Sequence, residues 1–503
     1  QLFAYGVTPE FASTSGSSPD GGAPASIVGF GLPQDASGGS VTVGSNQATI
    51  TTTAGQYAPL VDDGSESTIL NYTFPPGNPG HSDLQVTTPN GTGSLPKAIV
   101  YAKTVTDYSS SDTFNTVLLD ARRHQLYLSA GDHVDVFSTT TNQFLAALHP
   151  AAQGASRQFA GMALTPDGSQ LLVTNVTDGS LAVINPDSPS TTFAIPVVAA
   201  AIDGNGCAVG PIYVAATSNN LAFVQSGSLP HPSCTPQGFI YITNLLTRSS
   251  VPLTAGQCGV GVGVDASADG LFAALGSLPC VYSVQTGNYA PGAFPVYYGN
   301  FGVGISGDGN VIAETQVLGD INANIVGVIP HPIPLYGSPT QLNPPIPFLN
   351  SRLNASGSLL FTAYPTYFEI IDVAHGTLRT RFSLTESIQN VAAPLAIDSG
   401  GRFVYLITDK GLTAADFGEA PLSIGHLNPQ TAAVGTQVTV RGSGFDSSVT
   451  ATVGGVAATV SVTHENTLTL TIPAVSAGPQ DIVLTRTGTY AETYTLENGI
   501  VLQ

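Results

Sequence analysis

The chain's 503 residues are enough for about two to four domains, each burying a core of its own. Only 9% of them are charged, against roughly 25% in an average soluble protein, and 13 lysines and arginines face 33 acids. A net charge of −20 with no basic cluster argues against nucleic acid and anionic membranes as partners, because both need Lys and Arg to meet phosphates.

Solubility then falls to Ser, Thr, Asn, Gln and Gly. Such a surface changes little as carboxylates protonate and would suit an acidic, extracellular setting. No segment reaches the roughly 18–20 apolar residues that span a bilayer. The chain opens at Gln1 without an initiating Met, which predicts a mature product after leader cleavage. Val, Ile, Thr and Tyr are abundant and no long 3.6-residue period occurs, so the chain reads as all-β.

Residues 1–103 read as a first β-sandwich. Its short runs are Ala25-Ser26-Ile27-Val28-Gly29-Phe30-Gly31, Val41-Thr42-Val43-Gly44 and Asp83-Leu84-Gln85-Val86. Residues 13–24 and 51–68 expand two loops, which are candidate contact or calcium loops. The acidic run Asp62-Asp63-Gly64-Ser65-Glu66 lacks the D-x-D-x-D-G spacing of a strong calcium motif and reads first as a solvated turn.

Across residues 104–419 a unit recurs: an apolar strand, an Asp-Gly or Ser-Gly turn, then two β-runs. Its clearest copy is Gly161-Met162-Ala163-Leu164-Thr165-Pro166-Asp167-Gly168-Ser169-Gln170-Leu171-Leu172-Val173-Thr174. The turn positions Asp167, Asp269, Asp308, Ser356 and Ser399 are 102, 39, 48 and 43 residues apart. The doubled first gap hides a copy, with strands expected near Gly210-Pro211-Ile212-Tyr213-Val214-Ala215-Ala216 and Gly238-Phe239-Ile240-Tyr241-Ile242. With a degenerate copy at Leu118-Leu119-Asp120, seven units of about 40–50 residues result, the period of propeller blades. One twisted blade cannot bury both faces alone, whereas seven in a ring can. The TPDG-type turn with its later Val183-Ile184-Asn185 strand resembles YVTN-type and lactonase-like seven-bladed β-propellers.

All four cysteines, Cys207, Cys234, Cys258 and Cys280, lie in this region, and none forms a C-x-x-C pair. Three pairings are possible. Cys207–Cys234 with Cys258–Cys280 is preferred, because each bridge would clip a local excursion within one unit. Sequons at Asn71, Asn90, Asn175 and Asn354 fall near expected turns, where a glycan would be exposed. His124 and His133 could face a shared pocket in the first blade, although separate surface histidines are the simpler reading. Tyr297-Tyr298 and the Tyr364/Tyr367 pair offer either contact patches or strand-face packing, with packing favoured.

Residues 420–503 carry Asn428-Pro429, then Val438-Thr439-Val440-Arg441-Gly442-Ser443-Gly444-Phe445 and the Val453-Gly454-Gly455 hairpin. These resemble IPT/TIG domains, which are immunoglobulin-like sandwiches, and residues 1–103 resemble them more loosely. Gly442 and Gly444 flank a sharp strand exit where positive φ is expected.

The fold expected is all-β: a seven-bladed β-propeller flanked by N- and C-terminal immunoglobulin-like β-sandwiches. No nucleophile elbow, zinc helix, Walker loop or dinucleotide fingerprint occurs, and no catalytic, cofactor or metal residues are assigned. Zero tryptophan weighs against quinoprotein-type cofactor platforms. The reading is an extracellular or cell-surface structural protein that joins copies of itself head to tail through its terminal sandwiches, forming a filament or matrix. The alternatives are a lactonase-like propeller enzyme and a module that binds glycans or surface proteins.

Overall fold

The computed structural model describes residues 7–503 except 13, 34–36, 53–57, 60–65, 230–233, 235–237, 255–257, 259–262, 277–279, 291–302, 315–316, 323 and 329–348. Residues 62–65 of the acidic run and Tyr297-Tyr298 therefore lie outside the described residues. Among those described, every regular element is a strand.

Seven sheets form the propeller. Their inner strands are Thr116–Asp120, Phe159–Leu164, Ala208–Ala216, Val264–Ala266, Val303–Ile305, Asn350–Leu353 and Leu395–Ile397. Blades 1 to 6 take their strands in chain order. The last is closed differently: Thr104–Ser109, from before blade 1, pairs antiparallel with Gly411–Asp416 as its outermost strand. That exchange ties the start of the ring to its end and leaves no open seam between them.

Sequence dictates the blade interfaces directly. Short apolar strands such as Leu171–Asn175 and Ser180–Asn185 bury both faces, because neighbouring blades cover them. Clusters such as Tyr127, Phe159, Leu171, Val173 and Ala182 span two blades. The inner-strand turns repeat one device: a hydroxyl and a backbone N–H donate to a turn carboxylate. Thr165 Oγ1 and Ser169 N reach Asp167 at 2.6 and 3.0 Å. Ser267 and Leu271 N do so to Asp269, and Ser306 and Asn310 N to Asp308. The hidden copy uses Thr217 with Asn219, and Asn220 takes the positive φ (63°) that glycine supplies elsewhere.

The two disulfides join Cys207 to Cys234 and Cys258 to Cys280, with Cα–Cα distances of 6.0 and 5.3 Å.

The N-terminal sandwich packs one sheet containing Pro24–Phe30 and Glu66–Thr73 over another containing Gly80–Thr88 and Gly91–Tyr101. Ile27, Leu70, Tyr72, Leu84, Ile99 and Tyr101 are fully buried between them. The C-terminal sandwich encloses Val438, Val440, Val453, Leu468, Ile482 and Leu484, with Val456–His464 shared between its two sheets.

Both sandwiches sit on the same side of the ring. Within the expanded first loop, Gly16–Ser17 forms a strand parallel to Gly91–Tyr101 and to Thr377–Ser383 of blade 6, so one nine-stranded sheet runs from propeller into sandwich. That loop makes an internal joint. The C-terminal sandwich also meets blade 6, through Arg379 to the Leu422 carbonyl (2.6 Å) and Tyr494 to Asp372 (3.3 Å). The two sandwiches touch each other as well: a Cβ added at Gly80 would stand 2.9 Å from the Thr489 carbonyl oxygen. Ends that are distant in sequence are neighbours in space, so the sandwiches do not form opposite poles.

Candidate functional site

Three places concentrate chemistry. The first is the axis, where the inner strands of all seven blades enclose a cavity of about 520 Å³. Val117, Met162, Val214, Val264 and Ile305 of those strands border it, while their side chains are buried in the cores between blades. Its central polar feature is the Asp265–Arg352 pair at 3.4 Å. Asp265 also accepts from the amides of Ala266 and Ile305. Burial raises the Asp265 pKa, and Arg352 and the two amides oppose the shift. The side chain is about a quarter exposed and belongs to the cavity lining. Among the described lining residues there is no histidine. The hydroxyls of Thr165, Ser267 and Ser399 are bound to Asp167, Asp269 and Glu465.

The second place is the rim shared with the C-terminal sandwich. Ser399 Oγ donates to Glu465 at 2.5 Å, Ser423 Oγ reaches Ser358 Oγ at 2.7 Å, and His426 Nδ1 stands 3.4 Å from Asp308 Oδ2. Asp398, beside Ser399, is pushed up to about 6, chiefly by burial; the Phe403 and Gly401 amides pull it down and Glu465 pushes it further up. The sandwich thus rests on the inner-strand turns of blades 5, 6 and 7.

On the opposite face, Asp112, His133 and Asp135 of blade 1 converge. His133 Nε2 lies 3.3 Å from Asp135 Oδ1 and 3.7 Å from Asp112 Oδ2, while its Nδ1 is 2.9 Å from Asp132. Burial alone would lower the His133 pKa; Asp132, Asp135 and Asp112 outweigh it, and the net shift is upward. Asp135 is raised by burial and by Asp112, against the pull of His133.

Several expected site residues fall elsewhere. His124 occupies the inner-strand turn at positive φ (52°), at the other end of the strand from His133, so the two share no pocket. The ring beside His133 is that of His149 instead, with centroids 6.1 Å apart. Asn90 is exposed in a hairpin turn and Asn71 lies half-buried on a paired strand. Asn175 and Asn354 are buried, contrary to expectation: Asn175 accepts from Gln158 N, and Asn354 bonds Ser358 and Leu359 N. Their amides shape turns and present nothing to a glycosylating enzyme. Tyr364 and Tyr367 stack at 4.6 Å as strand-face packing. The metal-type triad was missed from sequence because Asp112 lies twenty residues from a D-H-x-D run too short to signal a site.

Residues 422–498 match the IPT/TIG domain family. Among solved structures the chain is similar to "Structure of U3-55K", with a TM-score of 0.45 and 14% identity over 62% of this chain and 98% of that one. It is similar to "Crystal structure of RRP9 WD40 repeats" at a TM-score of 0.45 and 13% identity, over 62% and 97%. No curated protein matches the chain.

Proposed function

We propose that this is a non-catalytic, extracellular structural protein whose copies join head to tail into a filament or matrix. The observation that carries it is the distribution of exposed large apolar side chains. One set, Val434, Val456 and Val501, lies at one end of the C-terminal sandwich. Strand pairing puts that end far from the propeller: Val453 pairs Ile482 and Pro479 pairs Val501, while Thr450, Arg486 and Glu492 lie at the end beside Leu422. Blade 3 carries a second set, Ile202, Phe239, Leu246 and Val251, each more than half exposed: Ile202 and Phe239 at the end away from the inner-strand turns, Leu246 at the turn end and Val251 on the outermost strand. Blade 3 is three of seven steps around the ring from blade 6, where the sandwiches dock. A contact between unlike patches facing away from one another does not close on itself and therefore propagates.

Compared with the sequence reading, the joint shifts from two sandwiches meeting to a sandwich tip meeting a blade. The lactonase-like alternative has less support, since the hydroxyls of Thr165, Ser267 and Ser399 in the described axial lining are each engaged in shaping turns or the sandwich contact, and no histidine stands among the described lining residues.

Electron microscopy and sedimentation of the full chain across concentration and pH test this. Regular polymers are expected, absent in Val456→Asp/Val501→Asp. That variant still offers its blade 3, so added in small amounts it should cap and shorten wild-type polymers. Dispersed wild-type particles under all conditions overturn the proposal.

A further inference from the structure

The triad on blade 1 is unlike the part-buried carboxylates that bind the protein's arginines. Asp120 is held by Arg123, Glu369 by Arg381, Asp416 by Arg402 and Glu492 by Arg379 and Arg486. Asp135 is as enclosed as Asp416, with side-chain exposures of 15% and 14%. Yet among the described ion pairs Asp112, Asp132 and Asp135 meet only His133. Three carboxylates around one imidazole leave an excess of negative charge with no guanidinium or ammonium to offset it.

Geometry narrows the cation. Ligands bound at about 2.0–2.1 Å in tetrahedral geometry stand roughly 3.4 Å apart. His133 Nε2 is 3.3 and 3.7 Å from its two carboxylate oxygens, and the three donor atoms lie within 4.8 Å of one another. Asp132 at Nδ1 fixes the tautomer that leaves the Nε2 lone pair facing the carboxylates, the orienting role a carboxylate plays behind a metal-bound histidine. The scaffold is firm: Asp135 is on a paired strand, and the Ala130 amide donates to the His133 carbonyl at 3.0 Å. A nitrogen donor with two carboxylates suits a borderline divalent transition ion and disfavours calcium, which takes six to eight oxygens.

We infer that Asp112, His133 and Asp135 form a binding site for one divalent transition-metal ion of the zinc type, with Asp132 orienting the histidine. The site lies on the propeller face opposite the sandwich-bearing turns. Both disulfides are closed, so no thiol among the described residues competes for the ion.

The test is zinc titration of the full-length protein after chelator treatment, by calorimetry and by metal analysis after dialysis. One zinc per chain is expected, with equimolar calcium unable to displace it. His133→Ala and Asp135→Asn should each weaken binding at least tenfold, and Asp132→Asn by roughly 10–100-fold. His124→Ala, at the other end of the blade, should leave it unchanged. If His133→Ala does not fold, Asp112→Asn on its exposed loop serves as the loss variant. The site is overturned if wild type retains no zinc, or if zinc binds equally well to the ligand variants.

Discussion

Asp398 is where burial and charge conspire on a single group. Unfolded, its carboxyl titrates near 3.9; folded, it is pushed up to about 6, chiefly by burial, with Glu465 adding to the shift. Between those values the native state holds a proton that the unfolded state has lost. Stability therefore falls as pH rises through this window, and the full penalty, roughly 2–3 kcal/mol, stands above pH 6. Asp398→Asn keeps an acceptor for the Phe403 amide, now 3.0 Å away, and removes the charge. Urea unfolding should show the variant more stable than wild type at pH 7.5 and no better at pH 4; equal gains at both would rule out ionisation as the cause. An interface that relaxes on acidification agrees with a surface sparse in titratable groups. At this scale the sequence was informative where one residue does a local job. Asp167, Asp269 and Asp308 were legible because a hydroxyl two residues before and an amide two residues after complete the turn. Gly444 was too, with φ at 72°, whereas Gly442 is required by the nearby Ser423 carbonyl and not by its φ. Asn175 and Asn354 were misread because a sequon near a turn looks the same whether its amide faces solvent or closes the turn.

Among the elements, blade strands were readable because apolar runs recur at a fixed spacing from a polar turn. The two-residue strand Gly16–Ser17 was not, since two residues carry no period and its partners are 84 and 366 residues away. Its glycine is needed for contact, with ordinary φ: a Cβ there would lie 2.7 Å from Phe382 Cδ2 and 2.9 Å from Thr380 Cγ2. Phe382 is fully buried against Phe368 and Phe417 and has nowhere to move. Gly16→Val should therefore push the strand off blade 6, at a cost of about 1–3 kcal/mol. Limited proteolysis would register this as faster cleavage near residues 102–104, between sandwich and propeller. Gly131→Val, which meets open space, should leave the pattern unchanged. Equal protection in both variants would mean the nine-stranded sheet is not what holds the sandwich.

For the whole molecule, repetition made the ring legible, but nothing local announces where two sandwiches dock on it. That placement depends on scattered pairs such as Arg379 with Glu492, residues 113 apart, one on blade 6 and one on the C-terminal sandwich. Glu492 also accepts from Leu422 N at 2.8 Å, and Arg379 lies near Asp372 at 3.9 Å. The joint thus rests on charged groups with exposures of 17%, 18% and 4%, whose separation would leave part-buried charges uncompensated. Domains linked this way should unfold as one unit, because releasing the sandwich strands Asp372 and Arg379 on the blade. Arg379→Ala breaks the joint at its centre. Arg486 and His375 still compensate part of the lost charge, so the penalty should be about 1–3 kcal/mol, below that of a fully buried pair. Calorimetry of wild type should give one endotherm, and the variant should give two, the sandwich melting apart from the propeller. Two endotherms in wild type would show that the domains are mechanically independent. A polymer that carries load from sandwich tip to blade 3 needs the opposite: force entering at Val456 must cross Arg379 and blade 6 before it reaches the next copy, so rigidity at this joint is a requirement of the proposed assembly.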